Sequence, residues 1–183
     1  TAPVITNQTI CNGEAVPDLT ATGTSVQWYD DAALTNLVHT GNTYATGKSA
    51  VGSYFYYVTQ TKACESASST ATLTINVVPS KPTTKDTAIC YGDNIPNLSA
   101  ALNNVKWYRD AALTILIDSG NIVVPVDTAI GAYSYYVTQT KNNCVSPYSK
   151  VNFTINAVPS KPVVSSDTVC ENESIAVLTS TGT

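Results

Sequence analysis

Hydrophobic and polar residues alternate with a period of two in the longest patterned stretch of the chain, residues 52–62. Tyr54, Tyr56 and Val58 fall on one phase of this alternation, and Phe55 and Tyr57 fall on the other. Aromatic and β-branched residues in such a pattern favour an extended strand whose two faces meet different surroundings. The stretch therefore predicts one long β-strand that packs one face on a core.

The same stretch returns 79 residues later, at residues 131–141, and other segments return with it. A Trp-Tyr pair occurs at residues 28–29 and 107–108, and Pro-Ser-Lys-Pro occurs at residues 79–82 and 159–162. Recurrence of a whole unit at this spacing predicts stacked repeats of one supersecondary unit. Two prolines in four residues favour a short, stiff linker in the polyproline II conformation.

The recurrence predicts an all-β chain made of two full repeats and the beginning of a third. Each unit of about 80 residues is large enough for a small β domain, because it can bury roughly 60–65% of its unfolded surface. Alternation in the tryptophan strands places Trp28 and Trp107 at the centres of the two cores. The predicted division is repeat 1 over residues 1–78, a linker over 79–82, repeat 2 over 83–158, a linker over 159–162 and the N-terminal part of a third repeat over 163–183.

The net charge of −4, with only 12% charged residues, limits the classes of partner. Nucleic-acid binding needs a basic face that replaces phosphate counterions, so we expect no nucleic-acid partner. No apolar run approaches the roughly 18 residues of a membrane span, so we expect no membrane insertion. Residues 1–9 lack the basic start and apolar core of a signal peptide, so we expect an internal fragment. The low charge and the abundance of Thr, Ser, Asn and Gly suit an extracellular protein. The single histidine, His39, is replaced by Asp118 in the second repeat, which leaves no repeated general base. We therefore expect no enzyme, no cofactor and no metal.

Five cysteines fall at two places in the repeat. Cys11, Cys90 and Cys170 lie near the start of a repeat, whereas Cys64 and Cys144 follow the long tyrosine strand. A zinc site is disfavoured because no CxxC pair occurs, and the pattern instead indicates disulfides in an oxidising compartment. Pairing within repeats joins Cys11 to Cys64 and Cys90 to Cys144, and leaves the partner of Cys170 outside the fragment.

The repeat resembles the immunoglobulin superfamily, in which a G-x-x-V-x-L-x-C strand, a W-Y strand and a G-x-Y-x-C strand occur in this order. Gly13, Val16 and Leu19 match the first strand, and the Trp-Tyr pairs match the second. The resemblance implies tandem immunoglobulin-like β-sandwiches, with Tyr54 and Tyr133 at the tyrosine-corner position. The usual inter-sheet disulfide is missing, since its two places are taken by Ala21 with Tyr56 and by Ala100 with Tyr135.

The chain also resembles, more narrowly, the Ig-like repeats of Bacteroidota surface proteins exported by the type IX secretion system, including gliding-motility adhesins. The resemblance rests on the early C-x-G-E motif, the W-Y and Y-Y-V strands and the late cysteine. It implies a spacer or stalk of an adhesin or filament, whose partners are the neighbouring repeats of the same chain. Asp-Thr pairs similar to an O-glycosylation acceptor of that phylum make Thr87, Thr128 and Thr168 candidate sites, although turn residues need no such role.

The immunoglobulin resemblance also opens a second disulfide pairing. It places Cys11 near the first turn and Cys64 near the last hairpin, at opposite ends of a sandwich, whereas a disulfide needs Cα atoms within about 7 Å. Joining Cys11 to Cys144 would instead clamp consecutive repeats end to end and leave Cys64 and Cys90 for neighbours. We favour pairing within repeats, because it needs fewer absent partners, and non-reducing peptide mapping distinguishes the two.

Outward aromatic residues are the best functional signal in the sequence. Sugar rings and protein partners both stack on tyrosine faces, so the candidate ligand-binding residues are Tyr29, Phe55, Tyr57, Tyr108 and Tyr136. The alternative is a cross-strand ladder that stabilises the sheet. A calcium site at Asp30 and Asp31 is disfavoured, since Arg109 replaces the first of them in the second repeat. Two functions remain, a structural spacer, which we favour, and a glycan- or protein-binding adhesion module.

Overall fold

The computed structural model describes residues 1–102, 104–166, 168–175 and 177–182, and its regular elements there are all β-strands. None of these residues belongs to a helix long and apolar enough to cross a membrane. The strands of the first repeat are β1 (Val4–Thr6), β2 (Gln8–Cys11), β3 (Leu19–Thr22), β4 (Val26–Tyr29), β5 (Leu37–Thr40), β6 (Thr43–Tyr44), β7 (Gly52–Gln60) and β8 (Ser69–Asn76).

Two sheets form the first repeat. The smaller has the order β1-β3-β6 and the larger has the order β2-β8-β7-β4-β5. Strand β2 pairs with β8 in parallel, and the other pairs are antiparallel. The chain passes from one sheet to the other at Asn7, whose side chain accepts a hydrogen bond from the backbone N–H of Thr72 at 2.9 Å. The N-terminal segment therefore contributes β1 to the smaller sheet and β2 to the larger one.

The second repeat has the same plan. Its strands are β9 (Thr83–Thr84), β10 (Thr87–Cys90), β11 (Leu98–Ala101), β12 (Val105–Tyr108), β13 (Leu116–Ser119), β14 (Ile122–Val123), β15 (Gly131–Lys141), β16 (Cys144–Val145) and β17 (Ser149–Asn156). They form sheets of the orders β9-β11-β14 and β10-β17-β15-β12-β13, with β16 added beside β15. Asp86 takes the place of Asn7 at the passage between sheets and accepts two hydrogen bonds from Asn152, at 2.8 and 2.9 Å.

Each repeat has its own core, centred on its tryptophan. Trp28 and Trp107 are both fully buried, as the alternation predicts. The indole N–H of Trp28 donates to the carbonyl of Gly41 at 2.7 Å, and that of Trp107 donates to Gly120 at 2.9 Å. The polar edge of each indole is thus satisfied inside an apolar cluster.

One tyrosine packed against each core makes the hydrogen bond of an immunoglobulin tyrosine corner. The hydroxyl of Tyr54 donates to the backbone carbonyl of Ala50 at 2.9 Å, and that of Tyr133 donates to Ala129 at 2.8 Å. This bond back to the chain four residues upstream is the tyrosine corner that the sequence predicts. A final short pair, β18 (Val163–Val164) with β19 (Ser180–Thr181), has the antiparallel pairing of β1 with β3.

Candidate functional site

The junction between the two repeats is the most distinctive feature of the described chain. Cys11, at the end of β2, forms a disulfide with Cys144, at the start of β16, with Cα atoms 5.6 Å apart. The two cysteines are 133 residues apart in sequence, so the bridge joins one repeat to the next. Consecutive repeats are therefore linked twice, by the chain and by the disulfide.

The favoured pairing of Cys11 with Cys64 and of Cys90 with Cys144 is wrong. In the first repeat Cys11 lies beside Asn76, at the C-terminal end of β8, whereas Cys64 precedes the start of the same strand. Eight residues of strand span about 25 Å, well beyond the roughly 7 Å that a disulfide allows. Strand β17 separates Cys90 from Cys144 in the same way. Cys64, Cys90 and Cys170 are exposed free thiols.

A tight hairpin presents Cys144 to the first repeat. Strands β15 and β16 pair through Lys141 and Cys144, so the connecting loop is only Asn142 and Asn143. Both asparagines have left-handed backbone angles, φ +48° and +64°, as a two-residue type I′ turn requires and as asparagine tolerates. The side chain of Asn76 donates to the carbonyl of Asn142 at 3.2 Å, across the junction. The first repeat has only Ala63 between Lys62 and Cys64, so the second repeat has one more residue here, and its longer turn touches the first repeat.

Two buried side chains hold the linker on the second repeat. The amide of Gln139 donates to the carbonyl of Ser80 at 2.5 Å, and the hydroxyl of Ser149 donates to Pro82 at the same distance. Both side chains are 8% exposed. The linker is therefore fixed by hydrogen bonds as well as by its prolines.

A charged cluster lies at the edge of the second core. The guanidinium of Arg109 donates two hydrogen bonds to the carboxylate of Asp127, at 2.5 and 2.6 Å, and Tyr135 donates a third at 2.6 Å. Partial burial opposes ionisation of Asp127, but the bonds from Arg109 and Tyr135 prevail and hold its pKa below the ordinary value. Burial and the neighbouring carboxylate raise the pKa of Tyr135 to about 12. The opposite charges of Arg109 and Asp127 are therefore paired with each other.

The equivalent place in the first repeat is an open cleft of about 530 Å³. The charges are exchanged there, since Asp30 and Lys48 stand 79 residues before Arg109 and Asp127. Lys48 does not reach Asp30 but lies over the ring of Tyr54, with its Nζ 5.3 Å from the centroid. The hydroxyl of Tyr56 is buried and makes no hydrogen bond of ordinary geometry among the described residues, although the side chains of Tyr44 and Thr46 interact with it. Burial and, after it, Tyr44 raise its pKa to about 12.

The predicted aromatic residues do not form one exposed patch. Tyr29 is only 9% exposed, and its hydroxyl donates to Gln27 at 3.2 Å, which corrects its prediction as an outward ligand-binding residue. Phe55 is 52% exposed and lines the cleft of the first repeat together with the half-buried Tyr57.

The other aromatic candidates lie within the sheet of the second repeat. Tyr108 and Tyr136 are half-buried and directly opposite each other on β12 and β15, as Tyr29 and Tyr57 are on β4 and β7. Tyr136 also packs edge-on against Tyr148, with ring centroids 5.2 Å apart. This register is that of the cross-strand ladder, the alternative interpretation of the aromatic residues.

The acidic side chains singled out in the sequence have structural partners. Asp31 accepts hydrogen bonds from the backbone N–H groups of Asn36 and Thr35, at 2.8 and 3.0 Å, and these bonds lower its pKa despite the opposing effect of desolvation. Asp110 closes the same loop in the second repeat. Both carboxylates are therefore used by their own loops.

The candidate glycosylation sites lie on separate parts of the surface. Thr128 and Thr168 are exposed, whereas Thr87 is half-buried at the start of β10. The aspartates that precede Thr87 and Thr128 bond to Asn152 and Arg109. Asp167, which precedes Thr168, lies outside the described residues.

Comparison with known proteins supports the fold. Residues 1–79 match the family model of the Ig-like domain described as CHU_C associated. The fibronectin(III)-like modules of Clostridium thermocellum CbhA are similar over 85% of this chain and 94% of their own, with 17% identity and a TM-score of 0.51. The Ig1-2 module of the Drosophila receptor protein tyrosine phosphatase DLAR covers 85% of this chain and 100% of its own, with 13% identity and a TM-score of 0.31. No curated protein matches the sequence.

The two sheets of each repeat, the family match and the similarity to the CbhA modules confirm an all-β fold of tandem immunoglobulin-like sandwiches. The family match supports an Ig-like domain of the CHU_C-associated type over residues 1–79. The similarity to the CbhA modules concerns the fold alone, since identity is low. An Ig-like module with a disulfide is consistent with an extracellular location.

Proposed function

We propose that this chain is a spacer of a large extracellular surface protein, an adhesin or filament of the Bacteroidota type. The observation that carries the proposal is the Cys11–Cys144 bridge, because it fixes two consecutive sandwiches end to end. A binding domain gains nothing from such a bridge unless the position of its neighbour matters. A spacer does gain from it, because the bridge keeps consecutive repeats at a fixed distance.

The path of the chain through a repeat supports the same function. In the first repeat, Thr1 bonds to Gln60 beside the hairpin that carries Cys64, and the chain leaves past Asn76 at the other end. Entry and exit at opposite ends mean that each added repeat adds the length of a sandwich, about 25 Å from β8 alone. Stacked repeats of this kind grow in one dimension.

Small-angle scattering tests the spacer proposal. In the test protein, residues 83–162 occur twice in succession, so the array gains one repeat and one linker. We expect the maximum dimension to rise by at least about 25 Å over that of the 183-residue chain. An unchanged maximum dimension would mean that the repeats fold back on each other, and the spacer proposal would fail. Biotinylation of intact source cells checks the location, since a surface spacer must be labelled.

A second function, glycan or protein binding, is favoured by one observation, the cleft of the first repeat. It presents an exposed aromatic ring, Phe55, in an open cleft, and the second repeat fills the same place with its Arg109 cluster. Glycan-array binding that is lost in Phe55→Ala would establish this function. The matched control is Tyr148→Ala, which removes an exposed aromatic residue of the second repeat.

A further inference from the structure

The end of each repeat that carries the first cysteine is built in the same way. The N–H of Cys11 donates to Glu14 at 2.7 Å, and the N–H of Cys90 donates to Asp93 at 2.9 Å. Cys11 lies beside Asn76 and Cys90 lies beside Asn156, each at the C-terminal end of a long strand. Cys90 therefore has the position and local geometry at the far end of repeat 2 that Cys11 has at the disulfide-bonded end of repeat 1.

The end that carries the second cysteine recurs as well. Gln139 and Ser149 bind the linker that enters repeat 2 at Ser80 and Pro82, and Gln60 and Ser69 bind the chain that enters repeat 1 at Thr1 and Pro3, at 2.6 Å each. Cys64 and Cys144 each follow the strand of their own glutamine. The end of repeat 1 thus has the polar contacts of the end of repeat 2 that docks on its neighbour.

The cysteines at these two ends are the exposed thiols Cys64 and Cys90. They are at the outer ends of the two-repeat unit, with both sandwiches between them, so they do not pair with each other within one array. Each instead stands where its equivalent in the known junction already forms a disulfide.

We propose that Cys64 forms a disulfide with the first-position cysteine of a preceding repeat, and that Cys90 forms one with the second-position cysteine of the repeat that follows. This rests on the proposed tandem spacer. Cys170, which donates its N–H to Glu173 at 3.3 Å in the manner of Cys11 and Glu14, belongs to the next bridge along the array. Every junction then carries one disulfide, and each full repeat takes part in two.

Each bridge forms by oxidation of two thiols. The two sulfurs bond to each other and release two protons and two electrons, which pass to the disulfide of a thiol–disulfide oxidoreductase and reduce it to a dithiol. A small disulfide such as oxidised glutathione accepts them in the same way in vitro. In the 183-residue chain with oxidised glutathione, we expect glutathione adducts on Cys64, Cys90 and Cys170 and none on Cys11 or Cys144.

The deciding experiment uses the natural protein in its full length. Free thiols are alkylated before denaturation and again after it, and peptides are then mapped without reduction. We expect the Cys64 peptide to be crosslinked to a peptide with the first-position cysteine of the preceding repeat, and the Cys90 peptide to one with the second-position cysteine of the following repeat. Alkylated Cys64 or Cys90, a Cys64–Cys90 crosslink or a crosslink to a different protein would each overturn the proposal.

The result is separable from the spacer function. Alkylated thiols in a protein whose maximum dimension still rises with each added repeat would remove the repeated bridges and leave the spacer proposal standing. Crosslinked thiols in an array that does not lengthen would support the repeated bridges and remove the spacer proposal.

Discussion

The indole of Trp28 combines complete burial with a hydrogen bond to Gly41, so its removal leaves both a cavity and an unpaired carbonyl. We expect Trp28→Ala to lower the free energy of unfolding of the first repeat by about 3–5 kcal/mol. Urea unfolding followed by circular dichroism measures the loss, while the fluorescence of Trp107 reports on the second repeat. The control Phe55→Ala removes an exposed ring and should change the stability by less than about 0.5 kcal/mol. A loss below about 1 kcal/mol for Trp28→Ala would contradict its central place in the core.

Asp127 predicts how the second repeat responds to acid. Its pKa in the folded protein lies below the ordinary value, so its contribution is present above the unfolded pKa of about 3.9 and is lost as the pH falls through the folded pKa. We expect Asp127→Asn to cost about 1–3 kcal/mol at pH 7, because charge-assisted bonds from Arg109 and Tyr135 weaken. The difference from wild type should narrow below about pH 4. Asp18→Asn, which changes an exposed carboxylate of the first repeat, is the control, and a difference that stays constant from pH 7 to pH 3 would argue against the cluster.

The cleft of the first repeat has a signal in the sequence, the exchange of charge between two pairs of equivalent residues. Asp30 and Lys48 exchange charge with Arg109 and Asp127 at both positions, which is the pattern of a pair that touches across a fold. Whether such a pair closes depends on side-chain reach, and Lys48 instead lies over Tyr54.

Among the elements, the linker supplies the next prediction. Gln139 is nearly buried and bonds to Ser80, so Gln139→Ala removes the bond that fixes residues 79–82 on the second repeat. We expect the free energy of unfolding of the second repeat to fall by about 1–3 kcal/mol. We also expect a protease of broad specificity to cleave the linker faster. Gln60→Ala, the equivalent change at the start of repeat 1, is the control and should leave the linker cleavage rate unchanged. Equal cleavage rates in the Gln139→Ala variant and wild type would show that the prolines alone hold the linker.

Strands with one buried face were predictable from the sequence, and the place where the chain changes sheets was not. Period-two alternation located β4, β7 and their counterparts β12 and β15, because a strand with one buried face shows its phase in every residue. The change of sheet at Asn7, and at Asp86 in the second repeat, gave no such signal. It arises because β1 pairs with β3 and β2 pairs with β8, and the local sequence does not encode the choice between these distant strands.

For the whole molecule, the number of cysteines favoured disulfides within repeats, whereas the structure has a disulfide between repeats, Cys11–Cys144. Pairing within repeats uses most of the cysteines of the fragment, but it ignores the length of β8 and β17, which keeps the two positions at opposite ends of a sandwich. The immunoglobulin resemblance did contain the correct distance argument. In a repeat protein, the two cysteines of one repeat can belong to different junctions, so their number does not show which cysteines pair.

The Cys11–Cys144 bridge also determines how the chain carries tension. A pull on residues 1 and 182 crosses the disulfide and bypasses the chain between Cys11 and Cys144, which are 133 positions apart in sequence. At about 3.4 Å per residue the fully extended length is roughly 170 Å, against roughly 620 Å after reduction. Optical tweezers should therefore record about 450 Å of additional extension when a reductant is added, and none in Cys11→Ser. If every junction has its bridge, the shortest covalent path through two repeats runs only over the 26 positions from Cys144 to Cys170, which limits the extension of the array to roughly 90 Å per two repeats.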